Sequence, residues 1–217
     1  MAEILNVKNL SVQIDGPKPL TAVEDVSFSI RSGECFALVG ESGCGKSLTA
    51  LSLMRLLPDG LSVAQGEVVL KGTDLMELTE REMQAVRGDR IAMIFQELSY
   101  VPDMTLEENL CLGSWPKKGA RIDWKTVRRR TLDLLKQEGL PYAPDVKLRS
   151  LSVSDIQMIE ILKAVSYDAR IIIMDEPTSS LTETEVEHLF RIIDMLKQKG
   201  CGIIYISHKM DEILRIS

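Results

Sequence analysis

The sequence predicts an α/β fold with a mostly parallel sheet, N-terminal antiparallel strands and an inserted helical lobe. Three short runs of apolar residues predict strands that are buried on both faces, namely Cys35–Val39, Ile171–Met174 and Ile203–Ile206. Segments with apolar residues at helical spacing separate these runs. Strands that alternate with helices and carry no polar face are typical of a parallel sheet that helices cover on both sides.

The N-terminal part of the chain changes from strand patterns to a helix pattern. Residues 5–14 and 22–30 alternate apolar and polar side chains, which predicts two strands separated by a break at Gly16–Pro17. Leu48–Leu57 carries apolar residues around most of a helix, and Pro58 is expected to stop it.

Capping boxes and helical spacing predict the later helices. In a capping box, a Thr side chain and a Glu three residues later each accept a hydrogen bond from the other's backbone N–H. Thr79–Glu82 opens a short helix in this way, and Thr182–Glu185 opens a long one. Between them, apolar residues keep helical spacing from Trp124 until Gly139 ends the pattern. We therefore expect a helical lobe at about residues 97–165.

Composition and charge exclude several classes of protein. The 217 residues are 45% hydrophobic and 27% charged, values typical of a globular domain and not of a disordered or fibrous chain. The net charge of −6 argues against a general nucleic-acid binder, so we expect no nucleic-acid partner. The four cysteines lack zinc-site spacing and are expected to be reduced. No apolar run reaches the roughly 18–20 residues that span a bilayer.

Residues 40–47 fit the G-x-x-x-x-G-K-[ST] pattern of a phosphate-binding loop. The eight positions are Gly40, Glu41, Ser42, Gly43, Cys44, Gly45, Lys46 and Ser47. The glycines let backbone N–H groups face the β-phosphate, and the helix that follows adds its positive dipole end. We expect Lys46 to reach the β- and γ-phosphates and Ser47 to ligate Mg²⁺. The alternative is an ordinary glycine-rich turn, but a buried strand before and a helix after favour nucleotide binding.

The buried strand Ile171–Met174 runs directly into Asp175 and Glu176. Two carboxylates at the end of a buried strand are costly without a compensating role. We expect Asp175 to hold Mg²⁺ through water and Glu176 to take a proton from an attacking water. The alternative is that they cap the next helix, but Thr182 already provides that cap.

These residues together resemble the ATP-binding subunits of ABC transporters, over essentially the whole chain, and the resemblance implies a P-loop NTPase fold. Gln96 matches the family's lid glutamine, which senses Mg²⁺ and the attacking water. His208 matches the switch histidine that touches the γ-phosphate. Residues 151–157 fall at the signature sequence, in which Ser152 and Ser154 are the candidate nucleotide contacts. Ser179–Thr182 matches the loop that crosses the dimer interface.

The resemblance also implies an activity, ligands and partners. The activity is ATP hydrolysis that powers import of a small solute, with ATP and Mg²⁺ bound. The catalytic residues that it implies are Glu176, His208, Gln96 and Lys46. The Mg²⁺ ligands that it implies are Ser47, Gln96 and Asp175. The implied partners are a second ATPase subunit, identical or not, integral membrane permease subunits and, indirectly, a solute-binding protein. This arrangement places the chain at the cytoplasmic face of the membrane.

The resemblance divides between two kinds of importer. Residues 1–96 resemble the ATPases of peptide and nickel importers, and residues 97–217 resemble the first half of monosaccharide-importer ATPases. In the family, residues between the lid glutamine and the signature contact the membrane subunits. The second resemblance therefore favours a monosaccharide, with a peptide or nickel importer as the alternative.

Three positions depart from the family pattern. Ile14 stands where an aromatic residue usually stacks on adenine, and Ser154 stands where the signature usually has glycine. Ile156 stands where a polar residue is usual. These departures keep open a hydrolysis-poor regulatory half-site. A DNA-repair or translation ATPase of the same superfamily is a third hypothesis, against which the lack of long insertions argues.

The sequence also ends at Ser217, soon after His208. We therefore expect a single ATP-binding domain over residues 1–217 that is truncated relative to the family. The expected consequence is that the edge near Ile203–Ile206 and the apolar side of the last helix are exposed.

Overall fold

The computed structural model describes residues 2–167 and 169–216. Ser217, the position at which the domain is expected to be truncated, lies outside the described residues. The strands are β1 (Glu3–Ile14), β2 (Leu20–Arg31), β3 (Cys35–Leu38), β4 (Leu61–Leu70), β5 (Thr73–Asp74), β6 (Ile91–Ile94), β7 (Lys117–Lys118), β8 (Arg121–Ile122), β9 (Ile171–Asp175) and β10 (Gly202–Ile206). The helices are α1 (Lys46–Met54), α2 (Glu80–Val86), α3 (Leu106–Cys111), α4 (Trp124–Gln137), α5 (Val153–Ser166), α6 (Glu183–Gln198) and α7 (Met210–Ile216).

A four-stranded parallel sheet in the order β3-β10-β9-β6 positions the site. Every residue of β9 and β10 is buried, and the two strands pair from Gly202 opposite Ile171 to Ile206 opposite Asp175. Because all four strands are parallel, their carboxyl ends meet at one edge of the sheet. The segments that follow β3, β6, β9 and β10 therefore lie next to one another.

An antiparallel sheet in the order β2-β1-β4-β5 covers one face of the parallel sheet together with α1. Side chains from both sheets form one apolar cluster, in which Leu5 and Leu10 of β1 pack with Ile173 of β9 and Ile204 of β10. Leu53 of α1 belongs to the same cluster.

The other face of the parallel sheet is covered by helices. Ile172 and Met174 of β9 point into a second apolar cluster with Leu162 of α5 and Leu189 of α6. Helices α3, α4 and α5 occupy the region for which a helical lobe is expected, and α3 and α4 contribute Leu110 and Leu135 to the same cluster. No helix in the described part of the chain is both long and apolar enough to cross a membrane.

The strand β10 corrects the expectation of an exposed edge at Ile203–Ile206. It is hydrogen-bonded on both sides, to β3 and to β9, and its residues are fully buried. The apolar side of α7 is only partly exposed: Met210 and Leu214 are 54% and 73% exposed, whereas Ile213 and Ile216 are buried. The order of strands in a sheet is set by crossover connections, which the local pattern of β10 does not reveal.

Two other expectations near the loop are also corrected. The run Cys35–Val39 is not buried on both faces: β3 is an edge strand with β10 as its neighbour, its residues are half-buried and Val39 is 47% exposed. Helix α1 ends at Met54, before Pro58, because Arg55 adopts a left-handed conformation with φ 51° and its N–H closes the last turn onto the carbonyls of Leu51 and Ser52.

Candidate nucleotide-binding site

The predicted phosphate loop joins the end of β3 to the start of α1. Gly45 is the N-cap of α1 with φ 90°, and a Cβ there would lie 2.9 Å from Val23 Cγ2, so glycine is required. Of α1 to α6, all within the described residues, α1 is the helix without a side-chain cap. Its first N–H groups therefore keep their hydrogen-bonding capacity for an anion.

Lys46 folds back over this loop. Its Nζ donates hydrogen bonds to the carbonyl oxygens of Gly40 at 2.8 Å and Glu41 at 2.7 Å. The Sγ of the exposed Cys44 lies 3.6 Å from the same nitrogen. The ammonium thus lies at the mouth of the loop, as expected for a phosphate-binding lysine. The side chains of Glu41 and Ser42 are exposed.

Three of the predicted catalytic side chains meet at the carboxyl edge of the parallel sheet. Gln96 follows β6, Glu176 follows β9 and His208 follows β10. The Nε2 of Gln96 donates to Glu176 Oε2 at 3.3 Å, and His208 Nδ1 lies 3.0 Å from Glu176 Oε1. We call Gln96, Asp175, Glu176 and His208 the strand-end cluster. The structure brings these residues together although up to 112 positions separate them in the chain.

The backbone at Glu176 is in an uncommon conformation. Its φ of 46° lies in the left-handed region, which a non-glycine residue rarely adopts. Its N–H donates to the carbonyl of Ile206 at 3.0 Å, and its own carbonyl accepts from the N–H of Ser179 at 3.2 Å. Such strained conformations persist where the surroundings fix them, and they concentrate at functional sites.

Asp175 fits the role of a cation ligand. It is 6% exposed, and its Oδ1 is buried without a hydrogen-bond partner. Burial raises the pKa of its carboxyl above the usual value, and hydrogen bonding from the Ser47 hydroxyl opposes that rise. A buried carboxylate oxygen without a donor is explained by a ligand that supplies positive charge. Asp175, Ser47 and Gln96 offer the oxygen donors that Mg²⁺ prefers.

The signature residues lie at the start of α5, and their polar groups are used locally. Ser152 is the N-cap: its Oγ accepts from the N–H of Asp155 at 3.2 Å, while its own N–H donates to the Asp155 carboxylate. The Ser154 hydroxyl lies 3.1 Å from the Ser152 hydroxyl. Tyr142 donates to Asp155. None of these contacts joins the signature segment, Leu151–Gln157, to the strand-end cluster.

One contact links the loop after Glu176 to the signature helix. The Ser180 hydroxyl donates to Gln157 Oε1 at 3.0 Å. Gln157 is 1% exposed, and its Nε2 is buried without a partner. Ser179, in the same loop, is exposed.

Ile14 lies at the end of β1, where it pairs with Leu20 and Leu61. Its side chain is 47% exposed, so an apolar but non-aromatic surface is available at this position.

Sequence reasoning missed one acidic residue near the cluster. Glu212 on α7 is 8% exposed and accepts three hydroxyl hydrogen bonds. The sequence signal for it is a carboxylate four positions before Ile216, which places both on one face of the helix, and a buried acid on such a face needs hydrogen-bonding partners.

The chain is similar to a known family and to curated proteins of that family. The family described as ABC transporter matches residues 23–179. Among curated proteins, the chain is 43% identical over 213 residues to the galactose/methyl galactoside import ATP-binding protein MglA of Haemophilus influenzae, and 41% identical over 216 residues to the protein of that name from Clostridium perfringens. The alignments cover 98% and 100% of this chain and 40% of each relative. The chain therefore spans about 40% of the length of these relatives.

Solved structures have the same fold. A dimeric bacterial ABC transporter cassette superposes with a TM-score of 0.84 at 25% identity, covering 99% of this chain and 91% of that one. The ADP conformation of another ATP-binding cassette of an ABC transporter superposes with a TM-score of 0.79 at 26% identity, covering 100% and 85% of the two chains.

Proposed function

This chain belongs to the ABC transporter family as an ATP-binding domain, and we propose on that premise that it hydrolyses ATP to power the import of a monosaccharide. The observation that carries the proposal is the meeting of Gln96, Glu176 and His208 next to Asp175, whose carboxyl interacts with Ser47 and Lys46 of the phosphate loop.

Nucleotide binding is assigned to the phosphate loop. The uncapped N–H groups at the start of α1 face the phosphates, and the helix dipole adds to the attraction. Lys46 exchanges its hydrogen bonds to the carbonyls of Gly40 and Glu41 for bonds to the β- and γ-phosphates. The energetic cost of that exchange is small, because the ammonium already lies at the mouth of the loop.

Water activation is assigned to Glu176. Its carboxylate accepts the proton of the attacking water, and the Gln96 amide holds one carboxylate oxygen so that the other stays oriented. His208, on the second oxygen, stabilises negative charge that develops on the γ-phosphoryl group.

The residues next to Glu176 and His208 fit a bound Mg²⁺ ion. Ser47, Asp175 and Gln96 would hold it, and the buried partnerless oxygen of Asp175 supports the assignment. When bound, Mg²⁺ neutralises charge on the β- and γ-phosphate oxygens. In this chain, the burial of Asp175 keeps its carboxylate at a fixed position beside Ser47.

We assign Ser152 and Ser154 to a neighbouring ATPase subunit's nucleotide, since neither reaches this chain's strand-end cluster in the contacts described above. The second subunit is either a copy of this chain or a related domain. The dimer of the similar cassette supports this arrangement.

The transport role follows from the named relatives. They are galactose/methyl galactoside import proteins, and the match extends over both the part that resembles peptide importers and the part that resembles sugar importers. The proposed partners are integral membrane permease subunits and, indirectly, a solute-binding protein. The proposed location is peripheral, at the cytoplasmic face of the membrane.

A second candidate function is a hydrolysis-poor regulatory half-site. It is favoured by the Ser154 hydroxyl, which is hydrogen-bonded to the Ser152 hydroxyl and so makes that group less available to a nucleotide. It predicts ATP binding without turnover.

The direct test is phosphate release from MgATP by the purified chain across a range of protein concentrations, alone and with co-purified membrane subunits. We expect activity per chain to rise with concentration, because each site needs the signature of another subunit. Lys46→Ala is the inactive control. ATP binding with no phosphate release under any of these conditions would support the half-site instead.

The transported solute is tested in vesicles that contain the co-purified membrane subunits. A monosaccharide is expected to stimulate hydrolysis, whereas stimulation by an oligopeptide or Ni²⁺ alone would favour the alternative importer.

A further inference from the structure

A buried carboxylate lies next to the strand-end cluster but has no part in the proposed reaction. Glu212 on α7 is 8% exposed. It accepts hydrogen bonds from Thr178 Oγ1 at 2.7 Å, Tyr205 OH at 2.9 Å and Ser207 Oγ at 3.1 Å, and it forms an ion pair with Lys209 at 3.1 Å. Four donors on one carboxylate form a satisfied buried network, which restricts the groups that it joins.

Tyr205 lies in β10, and the other three donors, Thr178, Ser207 and Lys209, come from the two loops that carry reacting side chains. Thr178 lies two residues after Glu176, and Lys209 directly follows His208. Lys209 Nζ also donates to Thr178 Oγ1 at 3.1 Å, so the two loops are joined directly as well as through Glu212. The network therefore spans the same two loops that Glu176 and His208 span by their own hydrogen bond.

The loop at Glu176 needs such support. Its left-handed backbone conformation, with φ 46°, persists only if neighbouring contacts fix it. The backbone bond to Ile206 fixes one side of this residue, and the Thr178 hydroxyl bond to Glu212 fixes the loop two residues further on.

We propose that Glu212 is a positioning residue that, through Thr178 and Lys209, holds the loops so that Glu176 and His208 stay in contact. The inference rests on the proposed ATPase function for its effect on turnover, but its structural part concerns this chain alone. Loss of the network should lower kcat and leave ATP affinity unchanged, because the network does not touch the phosphate loop.

The charge state of Glu212 is consistent with this role. Burial raises the pKa of its carboxyl, but the hydrogen bonds from Thr178, Lys209 and Tyr205 together hold it below the usual value. The carboxylate is therefore charged at neutral pH and accepts from all its donors.

The test compares two threonines with the same kind of bond. Thr178→Val removes both the hydroxyl bond to Glu212 and the acceptor of the Lys209 bond. Thr126→Val removes a Thr-to-carboxylate bond of 2.8 Å to Asp123 at the start of α4, far from the loops in the chain. We expect Thr178→Val to lower kcat on the order of tenfold, with KM for ATP unchanged, since misplacement of about 1 Å costs up to about 10²-fold. Thr178→Ser should restore kcat, and Thr126→Val should not change it.

A second readout does not depend on activity. The chain has two histidines, so ¹⁵N signals of the imidazole rings report His208 directly, with His188 as the internal reference. Thr178→Val should shift the His208 ring signals because its contact with Glu176 loosens, while His188 and both signals in Thr126→Val stay in place.

The two readouts keep the proposals separate. Absence of ATPase activity in the wild type would remove the proposed function, and the His208 signals would still decide the inference. Unchanged His208 signals and unchanged kcat in a folded Thr178→Val variant would overturn it.

Discussion

The strand-end cluster and the signature segment differ in what their polar groups do within this chain. In the cluster, Asp175 keeps a buried oxygen without a donor, and Glu176 holds a left-handed backbone conformation. In the signature segment, Ser152 and Asp155 satisfy each other as a capping box, and Ser154 bonds Ser152. The strand-end cluster thus has carboxylate capacity beyond what folding requires. At the start of the signature segment, the side chains of Ser152, Ser154 and Asp155 are used to begin a helix, and the one unpaired group described in this segment, the Nε2 of Gln157, lies at its other end.

This difference separates two kinds of functional residue. A buried carboxylate oxygen without a donor, next to a strained backbone position, points to a ligand that the same chain holds. Residues whose side chains already cap a helix acquire a further role only if a second subunit approaches the helix start. Substitutions in the two regions are therefore expected to act differently on turnover and on nucleotide affinity.

The largest effect is expected at Glu176. Glu176→Gln removes the proton acceptor but keeps the shape, so it should lower turnover by about 10²–10⁴-fold while ATP binding persists. Phosphate release and equilibrium ATP binding measured on the same preparation check this. Full turnover in the variant would remove Glu176 from the mechanism.

Cys44 reports whether the loop holds the nucleotide. It is exposed beside Lys46, whereas burial raises the pKa of Cys35 to about 11 and also raises that of Cys111. We expect maleimide to label Cys44 roughly tenfold faster than either, because thiolates react and thiols do not. MgATP should protect it, as peptide mass spectrometry can show. Equal labelling with and without MgATP would contradict the proposed phosphate site.

Much of the strand-end cluster could be predicted from sequence, because each of its residues lies at the end of a strand or within two positions after it, and the carboxyl ends of parallel strands converge. The capping boxes at Thr79, Thr182 and their glutamates are confirmed for the same local reason. The central place of β10 could not be predicted, since strand order is a tertiary property. Glu212 was not predicted because its burial depends on how α7 packs against β10 and against Thr178, which lies 34 positions away.

A substitution at the exposed Ile14 is expected to strengthen nucleotide binding. If adenine lies against the end of β1, Ile14→Tyr supplies a ring to stack on, at the lower end of about 1–3 kcal/mol for base stacking. ATP affinity should rise roughly fivefold. Calorimetric titration with ATP and with inorganic triphosphate separates stacking from phosphate binding. An equal gain for triphosphate would mean that the ring does not contact the base.

The smallest effect is expected in the signature segment. Ser154→Gly frees the Ser152 hydroxyl from one hydrogen bond and should raise turnover about two- to fivefold, in line with the net worth of a hydrogen bond. ATP affinity of the dilute chain should not change. A fall in turnover at unchanged stability would mean that the Ser154 hydroxyl itself contributes to the reaction.

The contrast between the two regions is tested most directly by titrating MgATP into the chain at concentrations where sedimentation shows a monomer, for the wild type, Lys46→Ala and Ser152→Ala. We expect the wild type and Ser152→Ala to bind one nucleotide with the same affinity, and Lys46→Ala to bind at least about 10²-fold more weakly, since a charge-assisted contact worth ~2.8 kcal/mol is lost. Equal weakening in a folded Ser152→Ala chain, or undiminished binding by Lys46→Ala, would contradict the division of roles.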